Sequence, residues 1–198
     1  MPSKIRTIAV LAVQGAFIEH EQKMAELGVC TIQLRNKEDC NKKYDALILP
    51  GGESTVQGKL LHELDMYQIL KNKITQGLPV MATCAGLILL AEQLTNDGNR
   101  YFATLPVSVK RNAYGSQLGS FYTEEEFDGL GICPMKFIRA PYIETADERV
   151  EILAKVKNNI VAVRYGNQLA MSFHPELCPE VSIHKYFTQM VSEHSSKA

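Results

Sequence analysis

The chain has 198 residues, 45% apolar and 22% charged, enough for one full hydrophobic core of ordinary globular composition, so a single domain over 1–198 is expected. A formal net charge of −1 gives no electrostatic reason to expect nucleic acid or an anionic membrane as partner. Five cysteines (30, 40, 84, 133, 178) are an odd number with no C-x-x-C pair, which argues against a disulfide framework or a zinc site and fits a reducing compartment, so a cytoplasmic, soluble chain is expected.

Lys4 and Arg6 precede only a short apolar run, Ile8 to Val13, closed by Gln14-Gly15; this is too short for a secretory signal, and no stretch reaches membrane-spanning length. Ile5–Val13 reads as a buried strand, Ala16–Leu27 as a helix stopped by Gly28, and Val29–Leu34 as a second strand. A third strand, Ala46–Leu49, ends at Pro50-Gly51-Gly52. Ser54 is expected to N-cap the next helix, where Val56, Leu60, Leu64, Tyr67 and Ile74 recur at helical spacing. Pro79–Thr83 is a fourth strand, followed by a helix apolar nearly all round and therefore buried. Beyond it, Val107–Arg111, Cys133–Arg139, Val150–Val156, Ile160–Tyr165 and Gln168–Phe173 read as strands, with turn signals at Asn158-Asn159 and Gly166-Asn167. A last helix over 180–192 turns Ile183, Phe187 and Met190 inward, and residues 195–198 are expected to fray. Strands alternating with helices predict an α/β fold, a three-layer sandwich with a mostly parallel central sheet.

Chemistry enters at Val80-Met-Ala-Thr-Cys84-Ala-Gly86-Leu-Ile. An apolar run, small residues at 82 and 86 around Cys84, and a second apolar run have the layout of a nucleophile elbow. Such a turn places a cysteine at a helix N-terminus, where the dipole favours an anion and unpaired N–H groups can hold an oxyanion. Read alone, the string also fits a small buried cysteine. The second signal is Ser172-Phe-His174-Pro-Glu176-Leu177. In an extended segment, residues i and i+2 face one way, and Pro175 disfavours a helix at His174. A carboxylate beside an imidazole orients it as the third group of a nucleophile–base–acid triad. The other histidines (20, 62, 184, 194) fall on predicted helices as solvated or packed residues. The third signal is Leu49-Pro-Gly-Gly52-Glu53-Ser54, where a strand-end double glycine can turn an N–H inward. It lacks the spacing and the Lys-Ser/Thr of a phosphate-binding loop. In an open sheet, ligands bind beyond the carboxyl ends of the parallel strands, where all three signals fall.

Together these residues resemble the class I glutamine amidotransferase family, with its Cys-His-Glu triad. Further matching strings are Val13-Gln14-Gly15-Ala16 with Glu19-His20, Gly52-Glu53-Ser54-Thr55, Arg111-Asn112 to Gln117, and Phe137-Ile138-Arg139-Ala-Pro141. They resemble most the branch serving pyridoxal 5'-phosphate synthase. Departures from the family pattern are Ala82 for a glycine, Lys110 and Gly119 for acidic residues, and Tyr142 for a histidine.

The resemblance implies a triad of Cys84, His174 and Glu176, with the oxyanion held by the N–H groups of Gly52 and Ala85. It implies L-glutamine as substrate, held by Gly52, Glu53, Ser54, Arg111, Ile138 and Arg139. Either arginine could hold the α-carboxylate, and Glu53 the α-ammonium. Gln14 is placed at the partner contact or the channel mouth. Hydrolysis gives L-glutamate and ammonia, the ammonia passing to a synthase subunit that builds pyridoxal 5'-phosphate; no cofactor or metal is implied. Two other readings remain open: a glutaminase of another synthase, such as imidazole glycerol phosphate synthase, or a non-enzymatic relative with a redox-sensing cysteine. Gly52-Glu53-Ser54 and Arg111-Asn112 argue against the first, and an intact His174-Pro-Glu176 against the second.

Overall fold

The computed structural model of the chain describes residues 7–112 and 120–196. Lys4, Arg6, Gly119 and the 113–117 part of the Arg111 string lie outside the described residues. Strands β1 (Ile8–Leu11), β2 (Thr31–Leu34), β3 (Ala46–Leu49), β4 (Val80–Thr83) and β12 (Gln168–Met171) form the parallel heart of the main sheet, in the order β2-β1-β3-β4-β12. Beyond β12 the sheet turns antiparallel through β11 (Asn159–Tyr165), β9 (Tyr142–Ala146) and β6 (Leu105–Lys110); β5 (Ala91–Leu94) is its far edge, parallel to β6. β10 (Glu151–Val156) pairs with β11, and β7 (Ser120–Phe127) forms a separate hairpin with β8 (Gly131–Ile138).

The buried runs of β1, β3 and β4 are continuous because both faces of the sheet are covered. Alternate residues feed two cores. Ala9, Leu11, Leu47, Leu49, Val80 and Ala82 pack with Leu61, Leu70 and Leu87 from helices α3 (Ser54–Glu63), α4 (Tyr67–Thr75) and α5 (Ala85–Leu90). Ile8, Val10, Ala46, Ile48 and Met81 pack with Met24 of α1 (Phe17–Glu26), with Phe187 and Val191 of α6 (Ser182–Ser195), and with Phe127 and Phe137 of the hairpin. That is the expected three-layer sandwich.

Several boundaries differ from the sequence reading. The single helix expected after Ser54 is two, broken where Asp65 takes φ 54°. Ser54 is the first helical residue rather than the cap; extended Glu53 occupies the cap position and its side chain makes no capping bond. The hairpin turn between β10 and β11 sits one residue early, on Lys157 (φ 48°) and Asn158 (φ 69°). A four-residue α2 (Lys37–Cys40), capped by the Asn36 side chain, and strands β5, β7 and β9 were not anticipated. β7 alternates exposed Ser120, Tyr122, Glu124 and Glu126 with half-buried or buried Phe121, Thr123, Glu125 and Phe127, and the charge on Glu125 and the exposed Tyr122 hide that pattern. The last helix runs to Ser195, three residues beyond the expected end, and Lys197 and Ala198 lie outside the described residues.

Candidate active site

Register brings the three motifs together. Leu49 pairs with Ala82 and Met171 with Thr83, so β3, β4 and β12 end side by side. The Cys84 N–H then donates to Met171 O at 2.8 Å, and the His174 N–H to Lys136 O of β8 at 2.8 Å.

Cys84 takes φ 47° and ψ −98°, a conformation costly for a side chain and characteristic of functional turns. Gly86 makes the turn possible: a Cβ there would lie 2.1 Å from Leu49 O. Ala82 is fully buried and adds no obstruction. Ala85 opens α5, and as its first residue it has no carbonyl one turn behind it to accept its N–H.

His174 and Glu176 converge as their spacing predicts. His174 Nδ1 and Glu176 Oε1 are 2.6 Å apart, with Glu176 in a short 3-10 helix at Pro175–Leu177. The Cys84 side chain is within hydrogen-bonding reach of His174. Burial works against a charged imidazole, but hydrogen bonds to Cys84 and Glu176 outweigh it and raise the His174 pKa to about 10. Burial also works against the Glu176 carboxylate, and the imidazoles around it hold its pKa below the usual value. Gly51 is essential to this packing, since a Cβ on it would lie 2.2 Å from His174 Cε1.

Cys84 and His174 line a cavity of about 240 Å³ together with Gly52, Glu53, Ser54, Arg111, Ile138 and Arg139. Drug-sized ligands occupy roughly 300–1,000 Å³, so this space suits a smaller molecule. All six residues expected to contact substrate therefore line one space, whereas Ala85 and Glu176 are not among its lining residues. Arg139 donates to Glu53 Oε1 at 3.3 Å, so the two charges assigned to opposite ends of an amino acid face each other across the mouth. Arg111 reaches the cavity with its guanidinium ion-paired to Asp97. A roomier groove of about 640 Å³ along β5, β6 and β9 carries Glu92, Asp97 and Asp147, with neither cysteine nor histidine among its lining residues.

The Gly51–Gly52 peptide is oriented by the turn after β1. Gly51 O accepts from the Ala16 N–H at 3.0 Å, and Gln14 Oε1 accepts from the Glu53 N–H at 2.8 Å. Gly15, at φ 103°, permits this approach, because a Cβ on it would lie 2.0 Å from Gly51 O. Gln14 thus holds the substrate loop as well as lining the cavity.

Sequence reasoning assigned no role to three residues packed behind His174 and Glu176. Thr83, fully buried, accepts from the Gly51 N–H at 2.9 Å. His20 Nε2 lies 3.2 Å from Thr83 Oγ1 and 3.4 Å from Glu176 Oε2, and His184 touches His20. The available signal was helical phase: His20 shares its buried face with Lys23 and Met24, and His184 with Ile183, Phe187 and Val191.

A sequence profile of the SNO glutamine amidotransferase family matches residues 10–193. The pyridoxal 5'-phosphate synthase subunit PdxT of Desulfitobacterium hafniense (strain Y51) is 65% identical over 189 residues, 96% of this chain and 95% of that one. The protein of that name from Haemophilus influenzae (strain PittGG) is 51% identical over 183 residues, 91% of this chain and 95% of that one. A crystal structure of a glutamine amidotransferase superposes with a TM-score of 0.88 at 39% identity, covering 93% of this chain and 98% of that one. The chain belongs to the SNO glutamine amidotransferase family.

Proposed function

We propose that the chain is the glutaminase subunit of a pyridoxal 5'-phosphate synthase, hydrolysing L-glutamine and handing ammonia to a synthase subunit. The observation that carries the reading is one cavity holding a strained cysteine, a histidine bonded to a buried carboxylate, and a cation–anion pair suited to an α-amino acid.

In this mechanism the Cys84 thiolate attacks the side-chain carboxamide carbon, forming a C–S bond and an oxyanion held by the Gly52 and Ala85 N–H groups. The His174 imidazolium protonates the amide nitrogen, the C–N bond breaks and ammonia leaves. His174 then takes a proton from water, which attacks the thioester; the C–S bond breaks and glutamate departs. Glu176 keeps the imidazole oriented and stabilises its charged form. These steps use no metal or cofactor, and pyridoxal 5'-phosphate is the product of the complex. Arg139 takes the substrate carboxylate and Glu53 its ammonium, each exchanging its present partner for a ligand group. Arg111, already paired with Asp97, supports the cavity wall.

We place the chain in the cytoplasm, a reducing setting that its free cysteines fit; among the described residues no helix is long and apolar enough to cross a membrane. The test is to mix the chain with the synthase subunit and its sugar-phosphate substrates and to supply glutamine labelled with ¹⁵N at the amide. Label in the pyridoxal phosphate ring supports the proposal; unlabelled product, or product formed only from added ammonium, contradicts it.

A further inference from the structure

Behind Glu176 lies a pair of buried histidines that the reaction just described does not use. His20 on α1 and His184 on α6 are both fully buried, with ring centroids 5.2 Å apart. His20 Nδ1 and His184 Nε2 are 3.0 Å apart, so one nitrogen carries the proton and the other accepts it. The opposite edge of His20 faces Thr83 Oγ1 at 3.2 Å and Glu176 Oε2 at 3.4 Å. His184 Nδ1 meets no partner among the described residues.

Two arrangements of protons are available to the neutral pair. If His20 is protonated at Nδ1, the Thr83 O–H can donate to its bare Nε2, but that lone pair also faces the Glu176 carboxylate oxygen, and His184 must bury an N–H without an acceptor. If His20 is protonated at Nε2, that N–H donates to Thr83 Oγ1 and its proton faces Glu176 Oε2, which has no hydrogen-bond partner among the described residues; the Thr83 O–H then has no acceptor among them. His184 then donates from Nε2 to His20 Nδ1, and its own Nδ1 is a bare lone pair. Each arrangement leaves one buried donor without an acceptor among the described residues, so the carboxylate decides: the second arrangement alone turns a proton, not a lone pair, toward Glu176 Oε2. A doubly protonated His20 is disfavoured by burial foremost, with the His174 charge adding to it and only Glu176 and Glu19 opposing. Burial likewise pushes His184 down, to about 2.

We propose that His20 is a positioning residue for Glu176, and that His184 fixes the tautomer that lets it act as one. Resting on the glutaminase reading, this assigns the triad a brace of two further residues. His20 turns its Nε2 proton toward the Glu176 oxygen that His174 does not engage, 3.4 Å from that nitrogen. Through Thr83, which also accepts from the Gly51 N–H, it couples the carboxylate to the turn that packs on the imidazole. Glutamine would touch neither histidine.

Side-chain ¹⁵N NMR of the full-length chain near neutral pH tests the tautomers directly. Both rings should be neutral with the proton on Nε2. A His20 ring protonated at Nδ1, or at both nitrogens, overturns the proposal. Kinetics with the synthase subunit present add a second readout. His20→Gln keeps an N–H donor near the Nε2 position, whereas His20→Asn reaches only as far as Nδ1. Removing the donor that faces a buried, otherwise unpartnered carboxylate oxygen predicts that His20→Asn lowers kcat about 10- to 100-fold. KM for glutamine should stay within about threefold, since the lost bond is not to substrate. His20→Gln should recover most of the rate. Equal losses in both variants would mark a purely structural histidine, and normal kcat in His20→Asn would remove the brace altogether. If His20→Asn does not fold, the wild-type tautomers decide. A wild-type complex that fails to hydrolyse glutamine refutes the glutaminase reading, while the NMR result still judges the geometry.

Discussion

At the active site, several residues matter for what they leave out. Gly51 is a glycine because the His174 imidazole fills the space a side chain would need, with Cε1 2.2 Å from an added Cβ. Gly51→Ala must push the ring away from Cys84, and a displacement of about 1 Å at a reacting group can cost on the order of a hundredfold in rate. We expect that loss in kcat from a chain that still folds; an unchanged kcat would remove His174 from the reaction. Glu53 and Arg139 present the opposite case. Their side chains are 51% and 73% exposed, so their ion pair adds little to stability. Glu53→Gln and Arg139→Ala should each weaken glutamine binding about 10- to 100-fold while leaving the melting temperature nearly unchanged. Calorimetry in a Cys84→Ala background measures this, and unaltered affinity in both would reassign the substrate's charged ends. The triad also sets a pH dependence. Because the folded pKa of His174 is raised to about 10, the stability it contributes is full below its ordinary 6.5 and is lost as pH rises toward 10. Glu176, whose folded pKa is lowered, contributes stability present above its ordinary 4.5 and lost as pH falls through the folded value. Urea unfolding of wild type should weaken from pH 6.5 to 10, and Glu176→Gln should flatten that slope. An equal slope in both proteins would deny the coupling.

At the scale of the elements, the elbow was readable because its constraint is local. Two apolar runs flanking Ala82, Cys84 and Gly86 leave few alternatives to a strand, a tight turn and a buried helix, and α5 has all six residues buried. Gly86→Ala would force β3 and α5 apart against the 2.1 Å approach to Leu49 O. Overpacking of this kind costs about 1–3 kcal/mol, to be seen as a lower urea midpoint with an unchanged m-value. A fully stable Gly86→Ala would mean that the turn does not need so close a contact. The His174-Pro-Glu176 spacing was readable for a similar reason, since i and i+2 need only an extended strand end. The brace was not, because His20, Thr83 and His184 come from α1, β4 and α6, and only the closed sandwich brings them together. The edge elements escaped for another reason: β5 and β9 are short and only partly buried, so their alternation is too brief to register. The Asp65 break also lay out of reach, because the apolar spacing of α3 runs on into α4 without interruption.

Across the whole molecule, the sheet packs helices on both faces and leaves its carboxyl edge for chemistry. There Gly52 is tied on both sides to the turn after β1, through Ala16 to Gly51 O and through Gln14 to the Glu53 N–H. A partner that engages this turn would shift the Gly52 N–H, and one oxyanion donor is worth roughly 2.7–4 kcal/mol, about a hundred- to a thousandfold in rate. At saturating glutamine, the isolated chain should therefore run far slower than a stoichiometric mixture with the synthase subunit. Equal rates would disprove such gating and leave the triad standing. The more direct test addresses Cys84 itself. Ammonia release from glutamine, measured with the synthase subunit present, should be readily detected for wild type and absent for Cys84→Ala, with the two proteins giving the same near-ultraviolet circular dichroism. Turnover close to wild type in Cys84→Ala would contradict a cysteine nucleophile, and with it the mechanism.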